Sequence, residues 1–388
     1  MNTTYYAPTK LFIGEYENSI GKIIKSYGYS KILFVYGKNS IKKTGLYDKI
    51  IKSLELNEIT YYEACGVEPN PSLDFVRKVL EKKYDFEFIL AVGGGSVIDT
   101  AKSISVSYLN SFDPWEYSIN QRKINNAVAI GVIPTIAAAG SEMSNSCVIS
   151  NKEERIKQGF NSDLIRPLFA IMNPKLTYSV SKYQTACGIV DIMMHTLERF
   201  IHNDEGDLAD NFSIGLLKTV YKYGLIAYNE PKNYEARKNL LLASSFSHNG
   251  LTNIGRSLYF RAHKFEHIIS GMFDSVAHGA GLAVVWIAYA KFIYKNPLVF
   301  NKFLRLSYEV FGIDKTEHEE IDAYNGIIKL RYFFKQLGMP LSLDDLGIDK
   351  SNLEEMTLRL TSNKEKLVDD IIEIDYDVAK KIFELMWW

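Results

Sequence analysis

The stretch FEFILAVGGGSVIDTAK, Phe86 to Lys102, constrains the fold more than any other. An almost wholly apolar run ends on Gly93, Gly94 and Gly95, and the residues after it have helical spacing. A strand that apolar is covered on both faces, which points to a parallel sheet under helices. Glycines let a backbone come close to a ligand, and free N–H groups at a helix start favour a phosphate. Ser96 stands where it could cap that helix. One glycine would make a plain turn, so three in a row point to a phosphate or pyrophosphate site. The pattern is neither GxGxxG nor GxxxxGK[ST].

The rest of the first half extends the theme. KILFVY, EITYYEA, AVAIGVIPT and LFAIMNP are further strand-like runs. TGLYDKIIKSLEL and NPSLDFVRKVLEKKY supply helices between them. Such alternation implies parallel βαβ units. From Ser181 onward the pattern is helical throughout: DNFSIGLLKTVYKYGLIAY, ARKNLLLASSFSHNG, LVFNKFLRLSYEVFG and IDAYNGIIKLRYFFKQLG. NPKLTYSVSK, with Pro174, reads as a hinge. A chain of 388 residues is too long for one small core. The expectation is an α/β domain of dinucleotide-binding type with a parallel sheet over 1–180 and an all-α domain over 181–388.

Composition excludes several classes. The net charge of −1 favours neither nucleic acid nor an anionic membrane. GAGLAVVWIAYAKFIY falls short of the roughly 20 residues of a spanning helix and carries Lys291, so a buried core helix is expected. The start, MNTTYYAPTK, has no secretory pattern. The three cysteines, Cys65, Cys147 and Cys187, are far apart and odd in number, which argues for reduced thiols and a cytoplasmic protein.

The second half holds the chemistry. GIVDIMMH places Asp191 and His195 at i, i+4, one above the other on a helix. HKFEHIISGMFDSVAH carries His263, His267 and His278, three of the chain's seven histidines. One such pair is more often a structural feature. Two pairs and a further His–Gly favour a divalent metal held between helices, since Asp and His are a good ligand set. Spacing alone leaves open whether His267 or His278 is the fourth ligand.

YYAPTKLFIG, GGGSVIDTAK, PTIAAAGSEMSNSCVISN, NPKLT, GIVDIMMH, HKFEH and DSVAHGAGLAVV occur in that order. Together they resemble the iron-containing (group III) alcohol dehydrogenases, and among them the butanol dehydrogenase-like aldehyde reductases. The resemblance implies a metal, Fe²⁺ or Zn²⁺, on Asp191, His195, His263 and His278. It implies a cofactor pyrophosphate over Gly94, Gly95 and Ser96, with Asp99, Thr135, Lys157 and Leu176 also in the cofactor site. His267 would face nicotinamide and substrate as the acid–base group. A homodimer is expected. The chain departs from the family in three places. IISGMFDSVA, between His267 and His278, is one residue longer than usual. Ala139 stands where many relatives have threonine, and Ser181 where a proline is frequent.

The loop after the first strand, YGKNSIKK, has no acid to bind a ribose 2′-hydroxyl. NADP(H) is therefore expected, with Gly37, Lys38 and Ser40 near the 2′-phosphate, and NAD as the alternative. Met193, Met194, Phe265, Met272 and Phe273 flank the histidine motifs, so a small, mostly apolar aldehyde or primary alcohol is the expected substrate. Glycerol dehydrogenase-like polyol oxidation and a dehydroquinate synthase-like reaction are the rivals.

Overall fold

The computed structural model describes residues 4–110, 112–120, 122–204, 206–364 and 371–388. The chain forms two compact units, divided between Val180 and Ser181, with Thr4 and Tyr5 grouped with the second.

The first unit is built on a parallel sheet. Its strands are β1 (Lys10–Ile13), β2 (Lys31–Gly37), β3 (Thr60–Val67), β4 (Phe88–Gly93), β5 (Ala129–Pro134) and β8 (Phe169–Met172), in the order β1-β8-β5-β4-β2-β3. β2, β4 and β8 are buried almost end to end, as expected of strands covered on both faces. The crossovers carry α1 (Ile20–Ser26), α2 (Ser40–Lys43), α3 (Leu46–Leu56), α4 (Leu73–Glu81), α5 (Gly95–Tyr108) and α6 (Pro114–Ile119). Two features were not read from the sequence. β1 is a short edge strand, and β6 (Ser146–Asn151) with β7 (Ile156–Asn161) forms an antiparallel hairpin outside the main sheet.

The second unit has no strand element among its described residues. α7 (Lys182–Phe200) starts at Ser181, whose hydroxyl accepts the Gln184 N–H at 3.2 Å. Ser181 is thus the N-cap of the helix. α8 (Asp207–Asn229), α9 (Tyr234–His248), α10 (Arg261–Met272) and α11 (His278–Ile293) follow. α12 (Phe300–Arg305) runs into a π-turn over Leu306–Val310, and α13 (Glu319–Gln336), α14 (Leu353–Leu360) and α15 (Tyr376–Glu384) complete the unit. α11 is buried from Gly279 to Ala290, the core helix expected of its composition. Among the described residues, no helix is long and apolar enough to cross a membrane.

Candidate active site

Three helices of the second unit bring the metal candidates together. α7 carries Asp191, His195 and Glu198, all buried. The spacing of four and then three residues puts them on one face. α10 carries His263, Glu266 and His267 on its first turns. α11 begins at His278, so the extra residue before it is taken up without displacing the histidine from the helix start. α10 itself runs on to Met272, leaving a connection of only Phe273 to Ala277.

The side chains converge. Asp191 Oδ1 lies 3.2 Å from His195 Nδ1, 3.7 Å from His263 Nε2 and 3.9 Å from His278 Nε2. One ligand atom from each of Asp191, His195 and His263 lies within 4.8 Å of the others. Asp191 Oδ1, His195 Nδ1 and His263 Nε2 are buried and make no hydrogen bond. A buried polar atom without a partner is costly, on the order of 1–3 kcal/mol each. Three of them aimed at one point fit a cation that would satisfy all three at once. His278, more exposed, turns its Nε2 to the same carboxylate.

Electrostatics agree with that fit. Burial, and then the neighbouring His248 and His263, keep His195 well below the ordinary histidine range, so it is neutral and able to ligate. Burial pushes His263 down as well, but Glu198 and Asp191 outweigh it and hold the ring up at about 9. With no metal present, the two carboxylates thus favour positive charge on the His263 ring, the charge a bound cation would replace.

Several participants are not evident from the sequence motifs. Glu198 bonds His263 Nδ1, and Glu266 bonds His278 Nδ1. The rings of His248 and His195 are 4.0 Å apart, and Phe260 stands edge-on to His195 and His263 at 5.8 and 5.0 Å. Arg199 donates to the His195 carbonyl at 2.6 Å and to Asn253 Oδ1 at 3.1 Å. Burial lowers its guanidinium to about 9. Two glycines of α11 make the packing possible. A Cβ on Gly279 would lie 2.1 Å from the Cys187 carbonyl oxygen, and one on Gly281 would lie 2.9 Å from Glu266 Cγ.

His267 lies on the rim of the cluster, half-buried, with its ring 5.6 Å from that of His278 and 6.3 Å from that of His263. Of the apolar residues expected around the substrate, Met193, Met194 and Phe265 have no exposed surface, and the two methionines share α7 with Asp191 and His195, which are buried as well. Phe260 is the aromatic residue that does border the histidines.

In the first unit, the expected cofactor residues gather at the C-terminal ends of parallel strands, where open α/β sheets bind ligands. Gly37 ends β2 with Lys38 and Ser40 just after it, Gly94, Gly95 and Ser96 follow β4, Thr135 follows β5 and Leu176 follows β8. β2 and β4 are neighbours, with Tyr36 opposite Val92. The Thr135 N–H donates to the Gly93 carbonyl at 3.0 Å.

The reason for the three glycines is partly different from the one expected. None has positive φ. A Cβ on Gly93 would lie 2.5 Å from Val97 Cγ2, and one on Gly94 would lie 2.8 Å from Ile136 Cγ2, so both are required by packing. Gly95 meets only the Ala139 methyl, at 3.4 Å. Gly94, not Ser96, is the helix cap, and Ser96 sits in the first turn. Asp99 is engaged inside the unit: it accepts from the Ser141 hydroxyl and from the Val148 N–H, the latter at 3.1 Å. Lys157, half-buried on β7, lies in the electrostatic field of Asp99. Leu176 packs partly buried against the core of the sheet.

A glycine turn at the switch of a parallel sheet and a buried Asp/His cluster on a helical unit define a nucleotide- and metal-using protein. Comparisons narrow the class. The profile described as "Iron-containing alcohol dehydrogenase" matches residues 8–174, and that described as "Fe-containing alcohol dehydrogenase family, C-terminal" matches residues 185–384. This chain belongs to the iron-containing alcohol dehydrogenase family. It is 38% identical, over 98% of each chain, to NADH-dependent butanol dehydrogenase A of Clostridium acetobutylicum. It is 32% identical, over 99% of each, to the NADPH-dependent aldehyde reductase YqhD of Escherichia coli. The crystal structure of NADH-dependent butanol dehydrogenase A from Thermotoga maritima superposes with a TM-score of 0.94 at 32% identity, covering 100% of this chain and 99% of that one.

Proposed function

We propose that this chain interconverts small aldehydes and primary alcohols by hydride exchange with a nicotinamide dinucleotide at a divalent metal. The observation that carries the reading is the convergence of three buried, unbonded ligand atoms from Asp191, His195 and His263. These residues and His278 would hold the metal. A bound Fe²⁺ or Zn²⁺ would polarise the carbonyl oxygen, and the nicotinamide would supply or accept the hydride. His267 is the acid–base group of the proposal: it is half-buried beside His278, within reach of both the cluster and solvent. Phe260 gives the histidines an apolar neighbour, which suits a short alkyl chain better than a triol.

The dinucleotide preference of the proposal is NADP(H). The loop of Gly37, Lys38, Asn39 and Ser40 has an ammonium and a hydroxyl and no carboxylate of its own. Lys38 is ion-paired with Glu68 at 2.8 Å, so a 2′-phosphate would compete with that carboxylate for it. The competition limits the preference, and relatives named for either coenzyme fit a narrow margin.

The test is NAD(P)H oxidation by purified, metal-loaded protein with butanal, set against NAD(P)⁺ reduction with glycerol. Butanal turnover that disappears on chelation and returns with Fe²⁺ or Zn²⁺ is the expected result. Faster turnover of glycerol, or none of either, would replace the reading.

A further inference from the structure

We infer that Glu198 and Glu266 are positioning residues that set which nitrogen of His263 and His278 faces the metal. The inference rests on the metal reading above and goes beyond the four ligands. Both carboxylates are completely buried, a placement that is expensive unless each is paired. Each is paired with an imidazole Nδ1: Glu198 with His263 and Glu266 with His278. The His263 backbone N–H also points at Glu198 Oε1, at 3.4 Å.

The geometry follows from the shape of the ring. The two nitrogens of an imidazole face different ways, so a carboxylate that takes the Nδ1–H leaves the Nε2 lone pair on the far side. In both rings Nε2 is then the atom turned toward Asp191 Oδ1, at 3.7 and 3.9 Å. The carboxylates act in sequence across the helices. α7 supplies Glu198 to the histidine of α10, and α10 supplies Glu266 to the histidine of α11. Gly281 leaves the space that Glu266 occupies. A carboxylate on the remote nitrogen also makes a ligating histidine more basic, and losing such a partner costs about 10–100-fold in metal affinity.

Glu198→Gln and Glu266→Gln keep the size of the side chain and remove its charge. The measurement is Zn²⁺ affinity by competition with a chromophoric chelator, beside the ligand-field spectrum of the Co²⁺-loaded protein. Each variant is expected to bind about 10–100-fold more weakly, with Glu198→Gln the larger change because His263 is the more buried ring. Wild type that binds metal alongside two glutamine variants of unchanged affinity and spectrum would overturn this inference alone. Wild type that binds no divalent metal would overturn the proposed function itself. Nitrogen NMR of the zinc-loaded wild type, labelled at histidine, needs no variant. Protonated Nδ1 and metal-bound Nε2 in both rings are expected, and the reverse tautomer in either would refute the assignment.

Discussion

Lys102 and Asp191 are both charged residues in the middle of buried helices, and the protein treats them in opposite ways. Lys102 has no exposed surface, yet its ammonium donates to Ser141 Oγ, Ser144 Oγ and the carbonyls of Ser144 and Ser146, at 2.8 to 3.1 Å. Asp99, one turn earlier, is held by the same loop and by the hairpin. Asp191 has an oxygen with no hydrogen bond, facing two ring nitrogens in the same condition. A saturated buried charge serves the fold, because nothing is left over for a ligand. Isolated unbonded atoms occur elsewhere, His202 Nε2 among them. At the centre on α7 and α10, three such atoms, from Asp191, His195 and His263, lie within 4.8 Å of one another.

The two residues should therefore fail differently when replaced. Asp191→Ala should lose most of the bound metal and several kcal/mol of transition-state stabilisation, on the order of 10³-fold in kcat/KM. Elemental analysis and steady-state rates check it, and an active, fully loaded variant would break the comparison. Lys102→Met should do the converse. It strands four acceptors and should cost about 3–5 kcal/mol in denaturant unfolding, with metal content per folded molecule unchanged.

The next two variants sharpen the picture within each site. His267→Ala should keep its metal and lose about 10²-fold in kcat, as a lost acid–base group does. His278→Ala should lose metal instead, and an exchange of those outcomes would reassign the fourth ligand. The smallest effect is expected at Lys38→Ala. Its pair with Glu68 is largely exposed, so the NADPH-to-NADH ratio of kcat/KM should fall by roughly tenfold or less. Glu68→Gln should move the same ratio the other way.

How much of this was legible followed from local pattern. β2, β4, β5 and β8 could be read because strands covered on both faces are apolar throughout. β1 spans only Lys10–Ile13, exposed at both ends and half-buried between, which is too short for a period to register. The hairpin strands SCVISN and IKQGFN are too polar and small to stand out. Asp191, His195 and His263 were visible through i, i+4 spacing in apolar surroundings. Glu198 and Glu266 were not, because a glutamate on a helix is usually in water. Their offsets, seven residues after Asp191 and three after His263, were the available signal. His248 carries no such signal: it stands at the end of α9 and meets His195 only through tertiary packing.

The contact of Gly279 with the Cys187 carbonyl has a consequence for insertions and deletions. His278 is located by α11 pressing on the α7 backbone, and the short connection of Phe273 to Ala277 only has to reach it. Lengthening a surface connection costs little, about 0.6 kcal/mol for each doubling. Chain length should therefore vary freely just ahead of this histidine, while Gly279 and Gly281 tolerate almost no added side-chain volume. For anyone grafting or shuffling segments of such enzymes, the durable boundary is the glycine, and the loop in front of it is the place to cut.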